Sequence, residues 1–179
     1  LEMHSRKSQT HRTRVADQFR EGTDLIMFSS DVSARGMDYP DVTAVIQVGM
    51  PSDKAQYIHR LGRTARAGKA GGGYLLLADY EAGFLQQLSE LPIERRDPMP
   101  AAVLASIAPR INAAMASLPP LTLTCAYQAY LGFYNSCAAR PLPLSTLTSG
   151  FGEGGGSTTA AGTFSIGTSS GSSGTARRW

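Results

Sequence analysis

The sequence predicts an α/β fold, with a parallel sheet flanked by helices, followed by a small helical segment and a disordered tail. Three observations support this prediction. Short apolar runs alternate with helical patterns over residues 1–90, prolines interrupt Ala- and Leu-rich stretches over 91–144, and Gly, Ser and Thr dominate 145–179. We therefore divide the chain into three parts, with boundaries after residues 90 and 144.

In the first part, helices alternate with strands. Ser8 is a suitable cap for a helix over residues 9–21, and the continuous apolar run that follows, 24–29, is typical of a buried strand. The later elements are a strand over 42–48, a helix that begins after Ser52 or Asp53, a strand over 74–78 and a helix over 81–90. Strands that alternate with helices pair in parallel, and ligands bind beyond their carboxyl ends.

Two helices are predicted in the second part, over residues 101–118 and 121–139, with Pro109 as a break or first-turn residue of the first helix. A tyrosine-rich face on the second helix either packs on the first part of the chain or touches RNA; it consists of Tyr127, Tyr130, Leu131 and Tyr134. The third part has almost no large apolar residue, so it cannot bury enough surface to offset the entropy of ordering.

The overall charge is only slightly positive, with 17 Lys and Arg against 14 Asp and Glu. Basic groups must therefore act through their placement rather than through a strong overall field. The two cysteines, Cys125 and Cys137, have no metal-ligand spacing around them, so we predict neither a metal site nor a disulfide framework. No apolar run is long enough to span a bilayer, and we predict no membrane partner.

Three arginines recur at every third position, at Arg60, Arg63 and Arg66, around Gly62. In a helical turn this spacing places neighbouring guanidinium groups on roughly one side. Guanidinium binds phosphate oxygens through two parallel hydrogen bonds and stays charged at all relevant pH values. The pattern therefore predicts a site for a nucleotide's phosphates or for a nucleic-acid backbone.

Three segments carry a resemblance to DEAD-box RNA helicases. Residues 59–66, HRLGRTAR, resemble the family's HRxGRxxR motif; residues 30–38, SDVSARGMD, resemble its (T)DVAARGLD motif; and residues 3–12 resemble its LHSxxSQxxR segment. The resemblance implies that residues 1–90 form part of the second RecA-like domain. This domain normally begins with a strand and a helix upstream of residue 1, so we expect an N-terminally truncated sheet with exposed apolar surface.

A shorter resemblance covers residues 126–134, which are similar to a segment in the helical C-terminal extension of organellar DEAD-box RNA chaperones. It implies that residues 91–144 form such an extension.

The resemblance also implies roles at the ATP site. Arg63 and Arg66 match the arginine fingers that reach the γ-phosphate of ATP, and Asp38 matches the carboxylate that binds the ribose. His59 matches a residue that relays the ATP state between the two domains. Two alternatives stay open: His59 is a buried structural histidine, or Asp38 pairs with Arg35.

Five further residues match the RNA groove of the family, namely Gln9, Arg12, Ser30, Arg35 and Gly36. Hydroxyl, guanidinium and bare backbone can all hold phosphates without reading base identity. The family usually has Thr at the position of Ser30, which keeps the hydroxyl. Arg35 either binds RNA or braces its loop through Asp31.

These matches imply the C-terminal part of an ATP-dependent RNA helicase, with ATP and Mg²⁺ as cofactors. Its partners would be RNA and a first RecA-like domain, which would hold Mg²⁺. The sequence contains no Walker A motif and no Asp-Glu-Ala-Asp, so we predict that this chain alone does not hydrolyse ATP.

Two other functions stay open. One is a truncated RNA-binding module without ATPase activity, and the other is a DNA-acting superfamily 2 helicase. We expect a monomer with an intracellular location, either in a mitochondrion or chloroplast or in the nucleus or cytoplasm.

Overall fold

A computed structural model of the chain describes residues 1–33, 39, 41–66, 68–136 and 163–168. For residue 33 and for 163–168 it describes the backbone only.

The first helix packs on a small parallel sheet. Strand β1 (Glu2–Met3) pairs with strand β2 (Phe28–Ser29), and helix α1 (Gln9–Glu21) lies between them in the chain. The predicted cap is confirmed, because the Ser8 hydroxyl accepts the His11 N–H at 3.2 Å. A buried cluster joins helix and sheet; it consists of Met3, Val15, Ala16 and Tyr39.

The predicted alternation of strands and helices is clearest in a second pair of parallel strands. Strand β3 (Ala44–Val48) is followed by helix α2 (Lys54–Leu61) and strand β4 (Gly71–Leu76), and β3 pairs in parallel with β4. A 3-10 helix, Asp79–Leu88, stands where a helix over 81–90 is predicted. These elements share a second core, formed by Tyr57, Leu75, Leu77, Phe84 and Leu88. The parallel α/β pattern is confirmed.

The predicted buried strand over residues 24–29 differs from the structure. Only β2 is a strand there, and the side chains of Ile26 and Phe28 are 72% and 75% exposed. They are exposed because, among the described residues, β2 pairs with β1 alone, in a sheet separate from β3 and β4. Ile46 and Val48 on β3 are also exposed, so the expected uncovered apolar surface is present.

In the tail predicted to be disordered, residues 163–168 are described, and they form strand β6 (Thr163–Thr168). It pairs antiparallel with β4 and with β5 (Glu94–Arg95), which gives the order β3-β4-β6-β5. The strand contains two alternating apolar residues, Phe164 and Ile166, in an otherwise small and polar segment, and such alternation is typical of a strand. The rest of 145–179 lies outside the described residues.

Two helices follow β5 in the chain. Helix α3 (Ala101–Ala116) contains Pro109 in its interior and has no buried residue. Helix α4 (Pro120–Ser136) buries Tyr134. Among the described residues no single helix is long and apolar enough to cross a membrane; α3 and α4 meet that measure only together, as a pair bent by 106°.

Candidate functional site

The arginine turn, residues 62–66, directly follows the end of α2. Its centre is fixed by Thr64, which is buried and donates its hydroxyl to the Val42 carbonyl at 2.5 Å. Strand β4 begins so close to the turn that a Cβ on Gly71 would lie 2.1 Å from Thr64 Oγ1 and 2.7 Å from the Ala65 nitrogen. No other residue than glycine fits there without a shift of the backbone.

The backbone of the turn is strained at Ala65, whose φ of +56° lies in the left-handed region that residues with a Cβ rarely adopt. Helix α2 has already ended at Leu61, so Arg63 and Arg66 lie beyond it and do not continue its face. Instead, Arg63 Nε donates to the His59 carbonyl at 3.3 Å and Arg66 Nε donates to the Gly62 carbonyl at 2.7 Å. The chain itself thus holds both side chains at their Nε atoms.

Arg60 differs from the other two arginines. Its guanidinium donates to both oxygens of Asp31, from Nε at 2.6 Å and from Nη2 at 3.0 Å, and Gln56 Nε2 donates to the same carboxylate at 3.1 Å. The prediction that all three arginines form one polyanion site is therefore wrong for Arg60, because a carboxylate of the chain already neutralises it. Sequence spacing shows periodicity within a segment but not a partner 29 residues away.

His59 lies on α2 with its side chain exposed, so the alternative of a buried structural histidine does not apply. It lines an open cleft of about 400 Å³ between the short turn Asp31–Ser33 and the first half of α2, together with Asp31, Val32, Ser52, Asp53, Ala55 and Gln56. At the edge of this cleft Asp53 caps α2 by accepting the Gln56 N–H at 2.7 Å. This bond, and a second one from Ser52, lower the pKa of the Asp53 carboxyl.

Three of the residues predicted to bind RNA lie at the carboxyl end of the β1–β2 sheet. Gln9 is exposed at the start of α1, and Ser30 directly follows β2, where its N–H donates to the Met3 carbonyl at 3.1 Å. Arg12 is one turn further along α1, and its Nε is buried without a hydrogen-bond partner in the part of the chain that the structure describes. A buried cationic donor without an acceptor is costly, and a phosphate oxygen would satisfy it.

The other predicted site residues, Arg35, Gly36 and Asp38, lie outside the described residues. Their predicted roles at the ribose and the RNA groove therefore stay predictions, as does the alternative of an Asp38–Arg35 pair. Sequence reasoning missed Thr64 and Gly71, which hold the arginine turn. The run Gly71-Gly72-Gly73 was a usable signal, because several glycines at the start of a strand indicate a close approach by another part of the backbone.

Comparison with known proteins places this geometry in a family. Residues 1–68 match the Helicase conserved C-terminal domain. The protein named Probable DEAD-box ATP-dependent RNA helicase 48, from Arabidopsis thaliana, is 56% identical over 136 residues, which are 75% of this chain and 17% of the relative. DEAD-box ATP-dependent RNA helicase 25 from Oryza sativa subsp. japonica is 53% identical over 135 residues, 75% of this chain and 22% of the relative. The chain thus spans about a fifth of the length of these relatives.

Two solved structures resemble the fold. Mss116p with a double deletion of its NTE and C-tail, bound to ssRNA and AMP-PNP, superposes with a TM-score of 0.65 at 32% identity, over 76% of this chain and 27% of that one. The second helicase domain of Mss116p, bound to an RNA duplex, gives a TM-score of 0.61 at 31% identity, over 76% and 54% of the two chains. The three motifs, the parallel α/β pattern and these likenesses agree: the chain is similar to part of the C-terminal RecA-like domain of the DEAD-box RNA helicases.

Proposed function

We propose that this chain binds the RNA backbone and completes the ATP site of a DEAD-box helicase, so that ATP hydrolysis is coupled to unwinding or remodelling of RNA. The observation that carries the proposal is the arginine turn, in which a buried threonine, a glycine contact and a left-handed Ala65 hold two arginines in a fixed position. Such strain is maintained where a side chain must be aimed. Several relatives named as ATP-dependent RNA helicases support the same function.

The donor set fits the phosphates of ATP. Arg63 and Arg66 supply fixed cations at the end of α2, and exposed His59 lies one turn before them. ATP supplies the phosphoryl group that is transferred to water. The role of this chain is to place guanidinium charge where negative charge builds up in the transition state, an effect of about 10³ to 10⁵ in rate in related hydrolases.

The ribose and Mg²⁺ are proposed to bind outside the arginine turn. Asp38, which is outside the described residues, is proposed to accept hydrogen bonds from the ribose hydroxyls. Mg²⁺ is proposed to be held by the first RecA-like domain, since the chain has no Walker A motif. A monomeric state and an intracellular location, in an organelle or in the nucleus or cytoplasm, stay part of the proposal.

RNA binding is proposed for the carboxyl end of the β1–β2 sheet, where Gln9, Arg12 and Ser30 are found. Support comes from Arg12, whose buried Nε has no hydrogen-bond partner among the described residues. It also comes from the structural neighbours, which were solved with ssRNA and with an RNA duplex. Contacts of this kind position a phosphate backbone without reading sequence.

The test is a titration of single-stranded RNA with the full chain, followed by fluorescence anisotropy at several salt concentrations. We expect Arg12→Ala to weaken binding and to reduce the salt slope by about one phosphate contact. Arg14→Ala is the matched control, because Arg14 is exposed on the same helix and its Nη2 lies 3.4 Å from His11 Nδ1.

Equal losses for the two variants would mean that α1 attracts RNA only through its overall charge, and the proposed groove would be wrong. A second outcome would favour the alternative of an RNA-binding module without ATPase activity. In that case the RNA affinity of the chain would not depend on ATP, even when the ATP-binding domain is supplied.

A further inference from the structure

A buried carboxylate joins three separate segments of the protein. Glu81, only 4% exposed, accepts three hydrogen bonds. Its Oε2 accepts the Ala78 N–H at 2.7 Å, and its Oε1 accepts both the Met50 N–H at 2.7 Å and the Tyr134 hydroxyl at 2.5 Å. The first donor caps the 3-10 helix, but the other two come from the loop before α2 and from α4.

The bond from Met50 fixes the start of α2. Gly49 and Met50 follow β3, and the backbone passes so close to the carboxylate that a Cβ on Gly49 would lie 3.5 Å from Glu81 Oε1. From there to the helix the loop is held at each step. Pro51 is buried, the Ser52 N–H donates to Gln56 Oε1 at 2.6 Å, and Asp53 caps the helix. A displacement of Met50 would therefore be transmitted to the first turn of α2.

The bond from Tyr134 fixes α4. Tyr134 is the buried residue of this helix, and its ring meets the Tyr80 ring edge to face at 5.6 Å. One turn earlier, the Tyr130 and Tyr80 hydroxyls lie 2.8 Å apart. Burial, and then the bond to Glu81, raise the pKa of the Tyr134 hydroxyl, so it stays a donor at physiological pH.

We propose that Glu81 is a positioning residue through which α4 sets the place of the loop 49–53, and with it α2 and the arginine turn. Apolar contacts would be enough to dock a helix, whereas a buried carboxylate is costly unless each acceptor site is satisfied. Loss of the Tyr134 hydroxyl leaves Oε1 with Met50 as its one donor among the described residues, so less holds the carboxylate in place. The functional consequence rests on the proposed role of the arginine turn at ATP.

The test compares two hydroxyl deletions on one helix, in the full chain, by NMR hydrogen exchange. Tyr134→Phe removes the donor to Glu81 and keeps the ring. We expect exchange at the Met50 amide to accelerate by about tenfold, the size expected when a hydrogen bond to a charged group is weakened. A smaller acceleration should follow in Lys54–Leu61. Tyr130→Phe is the control, because it removes a hydroxyl that meets Tyr80 and leaves the hydrogen bond from Tyr134 to Glu81 in place.

Two variants of Glu81 separate positioning from loss of stability. Glu81→Gln keeps the shape and one acceptor oxygen, so it should restore part of the Met50 protection that Glu81→Ala removes. Equal effects of the two tyrosine variants at Met50, or a uniform acceleration across the whole chain, would overturn the proposal. Because hydrogen exchange needs neither ATP nor RNA, this result is independent of the RNA titration with Arg12→Ala, and either proposal can fail alone.

Discussion

Arg12 on α1 and the arginines around α2 show two different ways to hold a cation. Around α2 the chain supplies acceptors: Arg60 has the Asp31 carboxylate, and Arg63 and Arg66 have backbone carbonyls. On α1, Arg12 has a buried Nε that no described group accepts. From this difference we expect the α2 side to be organised before any ligand arrives and the α1 side to be completed by one. Transition-state stabilisation requires the first arrangement, and backbone binding tolerates the second.

The largest expected effect tests whether the organised side acts in catalysis. In a protein that carries this chain together with the family's ATP-binding domain, Arg66→Ala should lower the ATP hydrolysis rate by about 10³ or more, because a finger acts mainly in the transition state. RNA affinity in the presence of a non-hydrolysable ATP analogue should change far less. Single-turnover hydrolysis and RNA titration measure the two quantities. If Arg66→Ala and Arg12→Ala behaved alike in both assays, the two sides would not be distinct.

A smaller effect is expected from a change to the scaffold of the arginine turn. Gly71→Ala inserts a Cβ against Thr64 and the Ala65 backbone, which should destabilise the fold by about 1–3 kcal/mol. Gly83→Ala is the control, since nothing lies within 4 Å of a Cβ at that position. Urea unfolding gives both free energies. Equal free energies of unfolding for the two variants would show that the arginine turn shifts at no cost to make room for the new Cβ, and that it is not a rigid support.

The smallest effect is expected from a variant in which an arginine on α2 loses its carboxylate, so that the α2 side resembles the α1 side. Asp31→Asn removes the charge that neutralises Arg60. The Arg60 guanidinium can then pair with a phosphate of RNA, so RNA affinity should rise by about twofold to fivefold. Asp17→Asn makes the same change of charge on α1, where Asp17 pairs with Arg20 at 2.7 Å. A greater gain for Asp31→Asn is expected in the anisotropy titration. An equal gain would mean that only the net charge matters.

Local patterns predicted much of this structure. The caps at Ser8 and Asp53, the helices α1 and α2 and the parallel pairing of β3 with β4 follow from periodicity and capping chemistry, which act over a few residues. The exposure of Phe28 could not be predicted from its apolar run, because burial depends on which strand lies beside it.

The candidate site likewise contains residues that the sequence indicated and contacts that it did not. The motifs identified His59, Arg63 and Arg66 from their order in the chain. They did not predict that Asp31 takes Arg60, or that Glu81 links α4 to the loop before α2, since both contacts join residues far apart in sequence. Such pairings are decided by tertiary packing, for which a single sequence has no periodic signal.

The position of β6 has a consequence for the order in which the protein folds. Strand β4 receives its second neighbour from the far end of the chain, with Gly71 paired to Thr168. Closing so long a loop is slow, and during synthesis β4 emerges well before its partner. Until then one edge of β4 presents open backbone groups, which are a template for strands of other molecules. We therefore expect β6 to cover this edge of β4 only late in synthesis.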